Sequence, residues 1–205
     1  MIAIIDYGLG NLGSIKNMLK KIGAQSSITR DHADIENASK LILPGVGAFD
    51  NGVQNLRDFG LVDLLNRKVL QDKTSILGIC LGMQLMTKSS QEGILPGFGW
   101  FDAQTIRFNL GGSAKKYTVP HMGWEFVIPV KESKLWTGMY ANPRFYFVHS
   151  YYIKCNQPSD TLITTNYSHD FVSGFEKDNI IGVQFHPEKS HKYGMMLLKN
   201  FMEKY

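Results

Sequence analysis

The sequence predicts an α/β protein with a mostly parallel central sheet flanked by helices and an antiparallel extension. Short apolar runs alternate with helical patterns in the first half of the chain, as in parallel sheets covered on both faces. The second half carries runs of β-branched and aromatic residues separated by turn residues. At 205 residues the chain is long enough for one sizeable core, so a single domain over 1–205 is expected.

The composition excludes several classes of function. Hydrophobic residues make up 43% of the chain, and the net charge of +4 comes without basic runs interleaved with aromatics, so nucleic acid is not expected as a partner. No apolar run approaches the roughly 20 residues of a membrane helix. The opening "IAIID" lacks the charged region and cleavage site of a signal peptide. Cys80 and Cys155 are therefore expected as reduced thiols in the cytoplasm, rather than as a disulfide. No cofactor or metal is expected.

The elements of the first half follow in order. The run "IAII" (2–5) predicts a strand, and "NLGSIKNMLKKIG" predicts a helix that ends at Gly23, because its apolar residues recur at helical spacing. "SSIT" and "KLIL" predict the next strands. A long helical stretch, "NLRDFGLVDLLNRKVL", precedes the strand "SIL", and a further helix is expected after Cys80.

The second half predicts mostly antiparallel strands and one closing helix. The strand candidates are "YTVPHMGWEFVIPV", "RFYFVHSYYIKC", "TLITTNY", "FVSGFEK" and "IIGVQFH". Gly111-Gly112-Ser113 predicts an exposed hairpin tip. The closing helix is expected from about Lys192 to Glu203.

Cys80 lies between two glycines in the apolar run "SILGICLGMQLM". The pentapeptide Gly78 to Gly82 repeats the G-x-nucleophile-x-G pattern of a strand-to-helix turn. Such a turn strains the nucleophile's backbone and leaves no room for flanking Cβ atoms. A helix beginning at Leu81 would point free amides at the sulfur, where they favour a thiolate and can bind an oxyanion. Cys80 is thus a candidate nucleophile, with a buried core cysteine as the alternative.

A cysteine nucleophile needs a base, and His186 is the best placed histidine. It ends an apolar strand in "IIGVQFHPEKS", and the carboxyl ends of strands build the sites of open α/β sheets. Glu188 lies two residues on, so in an extended backbone its carboxylate leaves on the same side and can orient the ring. His149 and His121 compete as bases, but neither has an acidic residue two positions away. A structural or site-lining role is expected for both.

Two glycine loops follow early strands. "LPGVGAF", after "KLIL", contains Gly47 and can supply amides to an oxyanion hole beside the amide of Leu81. "GLGNLG" fits the G-x-G-x-x-G pattern of dinucleotide binding, with Gly8, Gly10 and Gly13 in place and Asp31 about 20 residues on. A nicotinamide-dependent oxidoreductase is therefore a competing hypothesis, although it leaves the Cys80 turn and His186-Pro187-Glu188 unexplained.

The motifs "PGVG", "GICLGMQLM" and "GVQFHPEKS" together resemble those of the class I (triad) glutamine amidotransferases. "IIDYGLGNLGS", "PHMGW" and "FYFVHSYY" narrow the resemblance to the glutaminase subunits of imidazole glycerol phosphate synthases. It covers essentially the whole chain, from residue 2 to about 201, and implies a flavodoxin-like sheet.

The resemblance implies a role for each matching residue. Cys80 would be the nucleophile, His186 the base and Glu188 its orienting group, with Gly47 and Leu81 forming the oxyanion hole. The expected glutamine-binding residues are Gln84, Ser150 and Tyr151. The residues expected to face the synthase partner are Asn11, Trp124 and Tyr146.

The resemblance also implies a heterodimer in which ammonia passes through a protected path to a barrel-shaped cyclase/synthase partner. Glutaminase activity would depend on that partner. One position departs from the family pattern, because Glu125 follows "HMGW" where asparagine is common. That departure leaves open a related amidotransferase that supplies ammonia to a surface-sugar synthase.

Overall fold

The computed structural model describes residues 1–111 and 117–205. The predicted α/β class is confirmed. Residues 112 and 113 of the predicted hairpin tip lie outside the described residues. None of the helices in these two ranges is long and apolar enough to cross a membrane.

Five strands form the parallel centre of the main sheet. They are β1 (Ile2–Ile5), β2 (Ser26–Thr29), β3 (Lys40–Leu43), β4 (Ser75–Ile79) and β13 (Ile180–Val183), in the spatial order β2-β1-β3-β4-β13. Every residue of β1 and β13 is buried, as expected for strands covered on both faces. The last of the five comes from the far end of the chain, and its parallel pairing with β4 brings the residues after Val183 beside Cys80.

Helices cover both faces of this centre. On one side lie α2 (His32–Glu36), α3 (Phe49–Asp58), α4 (Val62–Asn66, continued by a π-helical turn over Arg67–Gln71) and α5 (Leu81–Leu85). On the other lie α1 (Leu12–Lys21) and α6 (His191–Lys204). Neighbouring β1 residues divide between the two cores: Ile5 belongs to the apolar cluster that contains Phe49, and Ile4 belongs to the cluster that contains Leu19. The predicted closing helix is confirmed as α6.

The remaining strands build the extension, which is antiparallel except where its first two strands pair in parallel with each other. In chain order, the strands of the extension are β5 (Ser89–Ser90), β6 (Ala103–Arg107), β7 (His121–Phe126), β8 (Ile128–Pro129), β9 (Arg144–His149), β10 (Tyr151–Cys155), β11 (Thr161–Tyr167) and β12 (His169–Lys177). The strands β12, β10, β6 and β5 continue the main sheet beyond β13, whereas β7 and β9 form a separate two-stranded sheet. Short 3₁₀ turns occupy Lys134–Trp136, Pro158–Asp160 and Pro187–Lys189.

Three predicted elements are divided in the structure. The predicted strand "YTVPHMGWEFVIPV" gives β7, which pairs with β9, and β8, which pairs with β11. The long helical stretch breaks after Asp58, because Gly60 adopts a φ of +66° and the amide of Leu61 bonds back to the carbonyl of Leu56, which closes α3 with a Schellman motif. The predicted strand "RFYFVHSYYIKC" changes sheets at Ser150, whose carbonyl accepts from the amide of Phe108. β9 thus pairs with β7, and β10 pairs with β6.

Candidate active site

Cys80 occupies the turn between β4 and α5 in a strained conformation. Its φ of 53° and ψ of −111° lie where side chains other than glycine are uncommon. The Cys80 amide donates to the carbonyl of Val183 over 2.8 Å, which fixes the turn to β13. The residue is 7% exposed. The anchored turn therefore holds the sulfur at the carboxyl edge of the parallel strands.

The flanking glycines are required by close packing. A Cβ on Gly82 would lie 1.7 Å from the carbonyl oxygen of Leu43, and one on Gly78 would lie 2.8 Å from the backbone nitrogen of Met83. Neither contact is compatible with a side chain unless the backbone moves. The turn thus has the steric character that its sequence pattern predicts.

His186 and Glu188 lie together in the buried loop after β13. His186 Nδ1 is 2.8 Å from Glu188 Oε1, and both side chains are 1% exposed. The loop is anchored at two points, because the His186 amide donates to the carbonyl of Tyr146 over 2.9 Å and the Ser190 hydroxyl donates to the carbonyl of His186 over 2.6 Å. The predicted orientation of the ring by Glu188 is present, although the backbone turns at Pro187 rather than staying extended.

The electrostatics of His186 couple it to Cys80. Burial alone would lower the pKa of the His186 ring, but the negative charges of the Cys80 sulfur and of Glu188 raise it to about 10. The ring nitrogen Nε2 is buried with no hydrogen-bond partner among the described residues. This environment favours the protonated form of the His186 ring at neutral pH.

Cys80 opens onto a cavity of about 220 Å³. Its walls come from the turn after β3, from α5 and from the β9–β10 bend. The lining residues are Val46, Gly47, Cys80, Leu81, Gln84, Glu92, Pro120, Val148, His149, Ser150 and Tyr151. The cavity thus contains Cys80, the two predicted oxyanion-hole residues and the three predicted glutamine-binding residues. Gly47 has a φ of +137°, which gives the Val46–Gly47 segment a conformation that glycine favours.

Gln84 is buried, and its amide has a defined orientation. Its Nε2 donates to the carbonyl of Tyr151 over 3.3 Å and to Oε1 of Gln184 over 3.1 Å. The Nε2 of Gln184 in turn lies 3.6 Å from the Cys80 sulfur. The Tyr151 carbonyl can only accept, so the Gln84 amide nitrogen must point towards it. The directions of the other hydrogen bonds in the series follow from this one. Both hydrogens of the Gln84 amide are used, so its Oε1 remains as an acceptor.

Gln184 and Glu92 also belong to this site, although neither is among the residues predicted from the sequence. Gln184 lies within the quoted "GVQFHPE" motif, where a polar side chain in an apolar strand is the available signal. Glu92 lies in a loop, where nothing in the local pattern marks it. Glu92 accepts from the amide of Phe49 over 3.0 Å, and burial raises its pKa. It is the one carboxylate among the described residues that line the cavity.

Two of the three residues predicted to face a partner meet on the outer side of β7 and β9. Trp124 pairs with Tyr146 in the strand register, with ring centroids 6.2 Å apart, and also stacks on His191. Asn11 immediately precedes α1, which packs against α6 and the turn that carries Glu188.

Neither dinucleotide binding by "GLGNLG" nor a catalytic role of Cys155 is supported by the surroundings of these residues. Gly10 packs against Pro44 and Gly45, where a Cβ would approach to 3.3 Å, and the Asp31 carboxylate caps α2 by accepting from the amides of Ala33 and Asp34. This glycine loop therefore supports the neighbouring "PGVG" loop. Cys155 is a free thiol like Cys80, and burial raises its pKa to about 11, which disfavours it as a nucleophile.

A strained cysteine at a strand-to-helix turn, beside a buried His–Glu pair, is the arrangement that the amidotransferase-like motifs predict. The family model described as "Glutamine amidotransferase class-I" matches residues 3–205. The chain belongs to the class I glutamine amidotransferase family.

Curated relatives match nearly the full chain. One from Methanococcus maripaludis, "Imidazole glycerol phosphate synthase subunit HisH 2", is 56% identical over 203 residues and covers 99% of both chains. A Pseudomonas aeruginosa protein of the same name is 49% identical, again over 99% of both chains. "Imidazole glycerol phosphate synthase subunit HisH" of Leptospira interrogans is 41% identical over 98% of both.

Solved structures support the fold. A glutamine amidotransferase from Thermotoga maritima aligns with a TM-score of 0.65 at 20% identity, covering 100% of this chain and 81% of that one. Another structure described as a glutamine amidotransferase aligns with a TM-score of 0.72 at 16% identity, covering 98% and 100%.

Proposed function

We propose that this chain is the glutaminase subunit of an imidazole glycerol phosphate synthase in histidine biosynthesis. It would hydrolyse glutamine and pass the ammonia to a separate barrel-shaped cyclase/synthase subunit that makes imidazole glycerol phosphate and AICAR. The observation that carries the proposal is Cys80, held at the turn after β4 beside His186 and Glu188. Near-full-length relatives with this name support the pathway. Two free thiols fit a reducing cytoplasm.

The substrate's amino-acid end would be held at the far side of the cavity. Glutamine carries an α-ammonium and an α-carboxylate, and the cavity offers complementary groups. The carboxylate of Glu92 and the free Oε1 of Gln84 can accept from the ammonium, and the Ser150 hydroxyl and the Tyr151 segment border the same space. The side-chain amide then reaches Cys80.

Catalysis would proceed through a thioester. The Cys80 thiolate forms a bond to the amide carbon, and the resulting oxyanion is stabilised by the amides of Leu81 and of the Gly47 loop. His186 gives its proton to the departing nitrogen, and the C–N bond breaks to release ammonia. A water molecule, deprotonated by His186, then adds to the thioester carbon, and the C–S bond breaks to give glutamate and the free thiolate.

An apolar strip on β7 supports a protein partner. Met122, Trp124 and Phe126 alternate along the outer face of this strand and are 60%, 39% and 56% exposed, respectively. Contiguous exposed apolar side chains typically mark an interaction surface. Asn11 and Tyr146 complete the surface proposed for the synthase partner.

The experiment that tests the function is glutamate release from the purified chain with and without candidate synthases. The Gly47 torsions allow the Val46–Gly47 segment to change conformation, so binding of a partner can shift its population towards the state with aligned amides. We expect at least a hundredfold increase with the imidazole glycerol phosphate synthase partner and its acceptor, about 2.7 kcal/mol of barrier.

Two controls separate the alternatives. Stimulation by a surface-sugar synthase, and not by the histidine-pathway partner, would reassign the pathway while keeping the glutaminase activity. A melting-temperature increase with millimolar NAD or NADP, lost in Asp31→Ala, would instead support dinucleotide binding. Full activity of the isolated chain, unchanged by any partner, would refute gating.

A further inference from the structure

Two buried histidines have no role in the chemistry above. His121 on β7 is 0% exposed and His149 on β9 is 6% exposed. They face each other across the two-stranded sheet, with His121 Nδ1 3.0 Å from His149 Nε2. His149 also lines the cavity, and its Nδ1 lies 2.7 Å from the carbonyl oxygen of Tyr151.

The direction of these hydrogen bonds is determined by one atom. The Tyr151 carbonyl can only accept, so Nδ1 of His149 carries the proton and donates to it. If His149 is neutral, its Nε2 is then an acceptor, and His121 donates from its own Nδ1. Burial lowers the pKa of His121 to about 4 and that of His149 to about 3, which keeps both rings neutral at pH 7.

The same carbonyl oxygen also holds Gln84. It accepts from Gln84 Nε2 over 3.3 Å, and this bond leaves Gln84 Oε1 as an acceptor in the cavity. A continuous set of hydrogen bonds thus runs from β7 through both histidines to Tyr151 and Gln84.

We propose that His149, supported by His121, is a positioning residue that fixes the Tyr151 carbonyl and thereby the glutamine-binding orientation of Gln84. This inference rests on the proposed glutaminase function and deepens it. The pair lies in the second sheet, whose outer face carries Trp124, so it joins the proposed partner surface to the substrate cavity.

The kinetic test compares two substitutions at one position. His149→Leu removes the donor to Tyr151, so we expect the KM for glutamine to rise about tenfold with kcat changed less than about threefold, the effect of one buried hydrogen bond. His149→Asn places an amide N–H near the position of Nδ1 and is expected to recover most of the KM. Thr165→Val is the matched control, because it removes a buried hydrogen bond of 2.7 Å to Ser173 outside the cavity.

A second measurement needs no variant and no activity. Nitrogen-15 NMR of the histidine-labelled chain reports which ring nitrogen carries the proton, and we expect neutral Nδ1–H tautomers for both residues at pH 7. An Nε2–H tautomer at His149, or an unchanged KM in His149→Leu, would overturn the proposal. Inactivity of the wild-type chain with every partner would instead contradict the proposed function and leave the tautomer result to decide the positioning role.

Discussion

The hydroxyl of Tyr7 donates a hydrogen bond of 2.5 Å to the carbonyl of Pro44 at a fully buried position. Tyr7 also fills the space beside Gly45, where a Cβ would lie 2.3 Å from its oxygen. The first peptide of the "PGVG" loop is thereby fixed, whereas Val46 and Gly47 border the cavity. We infer that Tyr7 sets the position of the loop whose amides are proposed to stabilise the oxyanion.

Tyr7→Phe should therefore weaken catalysis more than substrate binding. The substitution leaves the Pro44 carbonyl without its hydrogen-bond donor, so the loop amides are positioned less well. We expect kcat to fall about tenfold with KM unchanged. This is part of the roughly 10²–10³ loss in rate that follows when an oxyanion donor is removed. Tyr205→Phe is the control, because its hydroxyl bonds Glu176 and Leu135 outside the cavity. Equal kcat values for the two variants would contradict this role of Tyr7.

Glu188→Gln should change both the rate and its pH profile. The Glu188 carboxylate raises the pKa of His186, so its loss lowers that pKa. The imidazolium that protonates the departing amide nitrogen then disappears at a lower pH. We expect kcat to fall by roughly 10²–10⁴ and the alkaline limb of the kcat profile to move to lower pH. An alkaline limb at its original pH would show that Glu188 does not set the protonation of His186.

Two glycine substitutions test the packing of the Cys80 turn and of the glycine motif that leads into α1. Gly82→Ala should destabilise the chain by about 3 kcal/mol or more, because its Cβ meets the Leu43 carbonyl at 1.7 Å. Gly13→Ala should be neutral or stabilising by up to about 1 kcal/mol, because Gly13 lies in α1 with open space around it. Denaturant unfolding measures both. A strongly destabilised Gly13→Ala would indicate a close approach that this structure lacks.

The histidine pair predicts acid sensitivity of the fold. The folded-state pKa values of both histidines lie below the ordinary value of 6.5. At a pH between the folded-state values and 6.5, the unfolded chain therefore binds more protons than the folded chain. The contribution of the pair to stability then falls as the pH decreases. The stability is fully present above about pH 6.5 and is lost progressively as the pH falls towards 4 and 3. Melting temperatures measured from about pH 6.5 to about pH 4.5 should decrease, and His121→Asn should flatten the curve over that range. An unchanged slope in that variant would contradict the assignment.

The sequence predicts the parallel centre and the Cys80 turn because both depend on local pattern. "IAII", "KLIL" and "SIL" are buried runs between helical patterns, and Gly78 and Gly82 mark a turn without room for side chains. The proximity of His186 to Cys80 is predicted from strand ends, and the β4–β13 pairing provides its physical cause.

The remaining parts of the site depend on contacts that no local pattern carries. The change of sheet at Ser150 follows from pairing with distant strands, so "RFYFVHSYYIKC" reads as one strand in the sequence. Glu92 enters the cavity from a loop, and its partner Phe49 lies 43 residues earlier. Gln184 acquires its role only when β13 places it beside Gln84 and Cys80.

The most direct test of the proposed nucleophile is covalent labelling with a glutamine analogue that carries an electrophile at the side-chain carbon. The chain, with its synthase partner present, should take up one equivalent, and peptide mass spectrometry should place the adduct on Cys80. Cys80→Ala should take up none and release no glutamate, while its melting temperature stays close to wild type, because the substitution removes little volume. Labelling at Cys155 in place of Cys80, or glutamate release by Cys80→Ala, would contradict the assignment of the nucleophile.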